Sequence, residues 1–291
     1  PIYNKDIPAL NIDFINKAEK QCPEISFLNI QIAEQVTEYK DYLNDYFTDL
    51  SLNKNNFFTD VSNYIAYEMG QPTHSYDFDS LDGEIVLKEN NNKQQFSTLL
   101  GKDINLNGSE LVFTNKDKVI NLAGIMGGKD TACSVKTKNV LIECAWFKPE
   151  NIIGKAIKHN LQSDASHKFE RGTDPRCHEQ VLRRFIQIVE DHSEIIKLGV
   201  YTHKSSFCHK DIKLSFGLDR VNKVLGTEIN KEDYKDSLIK LGFKIDNTII
   251  VPSYRSDIFH ENDLAEEIAR VVGYDNIPVK KIDLTNISKN I

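Results

Sequence analysis

The sequence contains no run of about 18 apolar residues, so no membrane-spanning helix is expected. Its five cysteines, Cys22, Cys133, Cys144, Cys177 and Cys208, are odd in number and never spaced C-x-x-C. Both a disulfide framework and a zinc knuckle are therefore disfavoured, and a reducing, cytoplasmic setting is expected. An excess of basic charge is also missing: 36 Lys and Arg face 43 Asp and Glu, a net charge of −7. That balance argues against a protein that grips nucleic acid over its whole surface, so any RNA contact must be local. No internal repeat is visible. The opening "PIYNKD" carries neither Met nor a basic or apolar leader, and a piece of a longer protein without a signal peptide is expected.

What is present is an ordinary globular composition, 40% hydrophobic and 27% charged. At 291 residues, two domains are the better expectation. "ISFLNIQIAE" alternates as a strand does. Val36, Tyr39, Leu43, Tyr46, Phe47 and Leu50 follow at helical spacing, then "DVSNYIAYEMG", with Asp60 as the expected N-cap and Gly70 as the stop. Short β-type runs, "GEIVLKE", "FSTLL", "ELVFTN" and "VINLAGIMGG", are separated by Asp, Asn and Gly turns. "NVLIECAWF" is nearly all apolar, as a strand buried on both faces would be. "KPENIIGKAIKHN" reads as a helix with Ile152, Ile153, Ala156 and Ile157 on one side. "LQSDASHKFERGTDP" reads as a polar loop whose one apolar anchor is Phe169. Val181, Leu182, Phe185, Ile186 and Val189 mark a long amphipathic helix. "YTHKSSFCHKD" has no clear period and marks a boundary; beyond it come helices near 216–225 and 231–241, a hairpin in "FKIDNTIIVPSY", and a helix near 262–272.

Few motifs carry chemistry by themselves. "LAGIMGGKD" lacks the Gly-Lys-Ser/Thr ending of a phosphate loop, and "CHEQVLRR" lacks the second histidine of a zincin. His74 follows a rigid Gly-Gln-Pro turn and is either an ordinary polar residue or a site residue. Glu143 interrupts an apolar strand, where a bare carboxylate costs several kcal/mol unless hydrogen-bonded. It is either at a wet strand edge or a buried acceptor for a ligand's hydroxyl. Asp263, Glu266 and Glu267 stand at i, i+3 and i+4 on a helix, with Asp257 just upstream. Oxygen ligands gathered in this way suit Mg²⁺, while acids in a first helical turn also complement the macrodipole.

"DVSNYIAYEMGQPTHSYDFDSLDG", "LAGIMGG", "NVLIECAWFKPENIIGKAIKHNLQSDASHKFERGTDP" and "VPSYRSDIFHENDLAEEIARVVGYDNIP" together resemble the β subunit of bacterial phenylalanine–tRNA ligase. The match runs in order from about residue 22 to 278. The resemblance implies an α/β (α+β) editing domain with a β-sandwich-like core over 22–200, after a lead-in at 1–21. A linker at 201–210, a small winged-helix-like domain at 211–279 and the start of another linker at 280–291 would follow. The family's editing site hydrolyses tyrosine wrongly attached to tRNA(Phe). A hydrophobic pocket cannot strongly reject an isostere that adds a hydroxyl, so a second site that demands the hydroxyl is useful.

Carried over by motif, Glu143 would accept the tyrosyl hydroxyl and Gly127 would donate its N–H to the same oxygen. A phenylalanyl ester would then leave Glu143 unpaired. His74 would orient the terminal ribose or the attacking water, and Ser163 and Ala165 would line the pocket. Family members often carry Thr at Ser163 and Arg at Lys168; the hydroxyl and the charge both survive. Ser163 counts among the catalytic residues without being the nucleophile, since no base–orienter pair is evident. Asp257, Asp263, Glu266 and Glu267 match the family's Mg²⁺ positions, shared with the α subunit. Implied partners are tRNA(Phe) and that subunit, in a heterotetramer of two α and two β chains that attaches phenylalanine at the expense of ATP. Rival expectations are a tRNA-docking and assembly module that has lost editing, and a metal-dependent enzyme built on the C-terminal acids.

Overall fold

A computed structural model describes residues 1–278, which fold as two units, Pro1–His209 and the residues from Lys210 onwards. The last expected linker, at 280–291, lies outside the described residues, as does Val279. The first unit runs β1 (Phe14–Asn16), β2 (Glu24–Ile32), α1 (Asp41–Asp49), α2 (Phe57–Met69), β3 (Thr73–Asp77), β4 (Ile85–Glu89), β5 (Gln94–Ser97) and β6 (Asp103–Leu106). It continues with β7 (Leu111–Asn115), β8 (Lys118–Leu122), β9 (Met126–Gly127), β10 (Asn139–Trp146), α3 (Lys155–Lys158), α4 (Asp164–Arg171), α5 (His178–His192) and β11 (Ile195–Lys204).

The apolar run in β10 has a direct cause. This strand lies between β2 and β3 in a four-stranded sheet ordered β11-β2-β10-β3. Because side chains alternate across a strand, Val140, Ile142 and Cys144 face one way and join a core with Leu43, Phe58, Val61, Ile65, Phe185 and Val189 from α1, α2 and α5. Leu141 and Ala145 face the other way and join a core with Ile85, Leu87, Phe113 and Leu122. Those residues come from a five-stranded sheet ordered β1-β4-β7-β8-β9. Helices, sheet and second sheet therefore form three layers, and β10 is buried on both faces from Val140 to Ala145. Glu143 shares its parity with Leu141 and Ala145, which puts it between the sheets.

Several local expectations change. α2 is capped by Asn56, whose side chain accepts from Thr59 N at 3.1 Å, not by Asp60. The apolar stripe already begins at Phe57, so Asp60 falls inside the helix, buried, where it accepts from Tyr39 Oη at 2.7 Å. The helix expected over 148–160 is broken by Gly154, whose φ of +75° suits glycine. A short 3₁₀ turn at Pro149–Asn151 and the single turn of α3 replace it. Ile152 and Ala156 are buried while Ile153 and Ile157 are exposed, so the expected common face splits. "LQSDASHKFERGTDP" contains α4 and is not a loop. Ser163 caps it in a reciprocal pair with Ser166, and Ser166 and Phe169 turn inward.

The flanks also differ. Residues 1–21 are part of the unit: β1 pairs in parallel with β4, and Leu10 N donates to the Val200 carbonyl at 2.8 Å. β11 follows β2 as far as Lys204, so the first residues of the expected linker at 201–210 belong to a strand.

The second unit holds β12 (Lys213–Leu214), α6 (Leu218–Leu225), α7 (Lys231–Lys240), β13 (Lys244–Ile245), β14 (Ile249–Ile250) and α8 (Glu261–Val272). Its core gathers Val221, Tyr234, Leu238, Ile249, Leu264 and Ile268. The expected hairpin is β13–β14, and β12 adds a third strand on the far side of β14. The chain as a whole is a mixed α/β protein.

Losing the Ser163 cap should be measurable. Ser163→Ala is expected to lower stability by about 1 kcal/mol, read as a lower denaturant midpoint at an unchanged slope.

Candidate active site

Strand alternation assembles the site. In β3, Ser75 points to the helical layer, where its hydroxyl meets Ser62 Oγ at 2.8 Å. His74 and Tyr76 point the other way, with His74 directly opposite Glu143 in the β3–β10 ladder. Across the sandwich, Asn121 of β8 and Gly127 of β9 pair with each other. α4 closes one end with Ala165 and Phe169. His74, Asn121, Gly127, Glu143, Ala165 and Phe169, with Pro72, Thr73, Gly124, Ile125 and Met126, enclose a cavity of about 60 Å³.

Glu143 is 4% exposed. Its Oε2 accepts from Tyr76 Oη at 2.6 Å and from Asn121 Nδ2 at 3.2 Å, and Asn121 Nδ2 also reaches Tyr76 Oη at 2.8 Å. Its Oε1 accepts no hydrogen bond among the described residues. Burial raises its pKa to about 7, against the opposing pull of the Tyr76 and Asn121 hydrogen bonds. The carboxylate is therefore at neither a wet edge nor wholly unpaired. A phenylalanyl ligand would not strip it of partners, because the chain's own phenol and amide already meet part of its burial cost.

Burial lowers the His74 pKa to about 4, so its imidazole is neutral at physiological pH. Its Nε2 is buried without a partner among the described residues. The ring lies against Gly127: a Cβ there would come within 2.2 Å of His74 Cε1 and 2.7 Å of Leu99 Cδ1. Only a residue without a side chain allows that approach. The Gly127 carbonyl accepts from Leu99 N at 2.9 Å.

The structure thus brings His74, Gly127, Glu143 and Ala165 to one cavity. Ser163 stands apart. Its Oγ donates to the Ile125 carbonyl at 2.9 Å and accepts from Ser166 N at 3.1 Å, so the hydroxyl serves backbone groups. A groove of about 440 Å³ adjoins the cavity through Pro72, Thr73 and Ala165 and is walled by Tyr46, Tyr67, His167 and Lys168. Sequence reasoning missed Tyr76 and Asn121. Both left a signal: Tyr76 lies two residues beyond His74, on the same strand face, and Asn121 is a polar break within "VINLAG".

The four C-terminal acids do not converge. Arg255 binds Asp257 in a fork, with Nε to Oδ1 at 2.8 Å and Nη2 to Oδ2 at 2.7 Å, and Nη2 also reaches Glu267 Oε1 at 2.7 Å. Arg270 Nη1 adds a fourth bond, to Glu267 Oε1 at 3.0 Å. Asp263 Oδ2 accepts the backbone N–H groups of Phe259 and His260 at 2.7 and 2.8 Å, at the start of α8. Glu266 points to solvent while its neighbour Glu267 is buried. Hydrogen bonds from Arg255 hold Asp257 and Glu267 below the usual carboxylate range. Among the described residues no three acidic, His or Cys side chains are grouped to hold a metal. The donor set as arranged does not fit Mg²⁺, because a guanidinium already balances its charge.

This sandwich with a buried carboxylate belongs to a recognised class. The B3/4 domain model matches residues 21–194, more than half of the chain, and the tRNA synthetase B5 domain model matches residues 214–274. The chain belongs to the B3/4 domain family. Curated relatives include phenylalanine–tRNA ligase beta subunits. That of Psychrobacter arcticus is 32% identical over 95% of this chain and 35% of its own length. That of Francisella tularensis is 33% identical over 76% of this chain and 29% of its own length, and that of Methylococcus capsulatus 34% identical over 76% and 29%. The chain thus spans about a third of the length of these relatives. No helix among the described residues is long and apolar enough to cross a membrane.

Protonation of Glu143 couples to stability. Its folded pKa of about 7 lies above the ordinary glutamate value of 4.5, so the folded state holds this proton more tightly. The stabilisation is fully present below the unfolded pKa and is lost as pH rises through the folded one. Glu143→Gln removes this slope. Relative to wild type, the variant should gain on the order of 2 kcal/mol between pH 5 and pH 8, measured by denaturant titration at each pH.

Proposed function

We propose that the first unit is a hydrolytic editing module of a phenylalanine–tRNA ligase β subunit, acting on tyrosine wrongly esterified to tRNA(Phe). The observation that carries this reading is Glu143, a buried carboxylate with one oxygen held by the chain and the other unbonded at a cavity shared with His74, Gly127 and Ala165. A tyrosyl hydroxyl donated to Oε1 would complete its bonding, and the Gly127 N–H is the candidate donor to the same phenol oxygen. The ester is already activated, so a water held near neutral His74 suffices, with no covalent nucleophile. Ser163 supports this chemistry by fixing α4. ATP-dependent attachment of phenylalanine would lie in the complete enzyme, with the α subunit and tRNA(Phe) as partners. Magnesium binding in the second unit would require Arg255 to release its two carboxylates, and no step of the proposed hydrolysis depends on a metal.

A cavity of about 60 Å³ holds roughly two waters, so a tyrosyl ring must displace part of its wall. Met126, half-buried and flexible, and the more exposed Leu99 are the side chains placed to yield. The closed state favours a second reading, in which the fold serves tRNA docking and subunit assembly only.

Deacylation of tyrosyl-tRNA(Phe) separates the two. Wild type should hydrolyse it, and Glu143→Ala should be slower by about tenfold or more, the worth of a hydrogen bond to a charged group. Equal inertness of the two proteins would rule out editing by this chain and leave the docking reading.

A further inference from the structure

We propose that Tyr76 is a positioning residue of this site: with Asn121 it fixes one oxygen of Glu143 and aims the other into the cavity. This rests on the editing reading only for what the ionised carboxylate is used for.

The geometry is specific. Tyr76 is fully buried, and its hydroxyl both donates to Glu143 Oε2 at 2.6 Å and accepts from Asn121 Nδ2 at 2.8 Å. Three groups close one hydrogen-bonded ring, because Asn121 reaches Glu143 Oε2 as well. Both donors converge on the same oxygen, which leaves Oε1 as the acceptor for whatever enters the cavity. The His74 ring packs edge-on against Tyr76 at 4.4 Å between centroids, so the phenol also fixes the plane of the imidazole. The chain already carries, on the far side of Glu143, the functional group that the ligand would bring to the near side. The site would thus hold one carboxylate between two phenols, one internal and one from the substrate.

The titratable groups around Glu143 are His74 and Tyr76 from β3, the thiol of Cys22, and the thiol of its chain neighbour Cys144, which points to the opposite face of β10. Burial keeps both thiols and the Tyr76 phenol neutral and lowers the histidine. Of these groups, Glu143 alone changes charge near pH 7. Removing a donor to its ionised form favours the protonated form.

The test is a pH titration of the Glu143 carboxyl in the full chain. It would be followed by ¹³C NMR of labelled glutamate and assigned by the signal lost in Glu143→Gln. In Tyr76→Phe the midpoint should rise by about one pH unit, the worth of one hydrogen bond to a charged group. Site-specific 3-fluorotyrosine at position 76, a more acidic and hence stronger donor of nearly the same size, should move it down. The acid limb of tyrosyl-tRNA(Phe) hydrolysis should move with it in both variants and recover at high pH. A purely structural role would instead lower the rate at every pH. Midpoints unchanged in both variants would overturn the assignment; the fluorinated protein provides this result even if Tyr76→Phe does not fold. A wild type inert toward tyrosyl-tRNA, with the midpoints still shifting, would overturn editing and uphold the role of Tyr76.

Discussion

A carboxylate placed between two β-sheets must be met by donors, and the first unit is organised around meeting this one. Glu143 sits in an inner strand of its sheet, shielded from bulk solvent on both sides. The sheet that carries it supplies Tyr76, and the facing sheet supplies Asn121. Neither donor alone encloses the group; the ring of three hydrogen bonds ties the two layers together through polar atoms where the rest of the interface is apolar. Such a network specifies one relative setting of the sheets, because a shift would leave a charge unpaired in a medium of low dielectric.

The same constraint fixes the surroundings. His74 can lie beside Glu143 only because Gly127 has no side chain, and Gly127 is held by its ladder with Asn121 and by Leu99. α4 reaches the cavity through Ala165 because Ser163 anchors its first turn to Ile125, in the turn between β8 and β9 of the facing sheet. Charge in the second unit follows the opposite rule. There Arg255 and Arg270 neutralise Glu267, and the backbone satisfies Asp263, so the acids settle their own balance without an ion.

Much of this was legible in the sequence where period and chemistry agreed. The apolar run around Glu143 announced a doubly buried strand, and the motifs that include His74, Gly127 and Ala165 named residues that share one cavity. The rest was hidden for physical reasons. Ser163 looked like part of the pocket wall because a cap and a pocket wall use the same residue type. "LQSDASHKFERGTDP" looked like a loop because α4 buries only Ser166 and Phe169, too few for a period. The four acids looked like a metal site because helical spacing does not reveal that an arginine two residues before Asp257 will fold back between two of them. Tyr76 was passed over because a tyrosine in a strand is ordinarily core, and only its hydroxyl distinguishes it here.

The three-layer arrangement gives β10 two independent duties that alternate residue by residue. Val140, Ile142 and Cys144 answer only to the helices, while Leu141, Glu143 and Ala145 answer only to the opposing sheet. Sequence change can therefore proceed on one set without consulting the other. Behind β10 the helical layer can drift in volume and shape over evolutionary time, and the cavity can be retuned from the opposing sheet; only where Tyr46 and Tyr67 wall the adjoining groove do helices and site meet. One strand acts as a partition between what the fold needs to stand and what the site needs to choose.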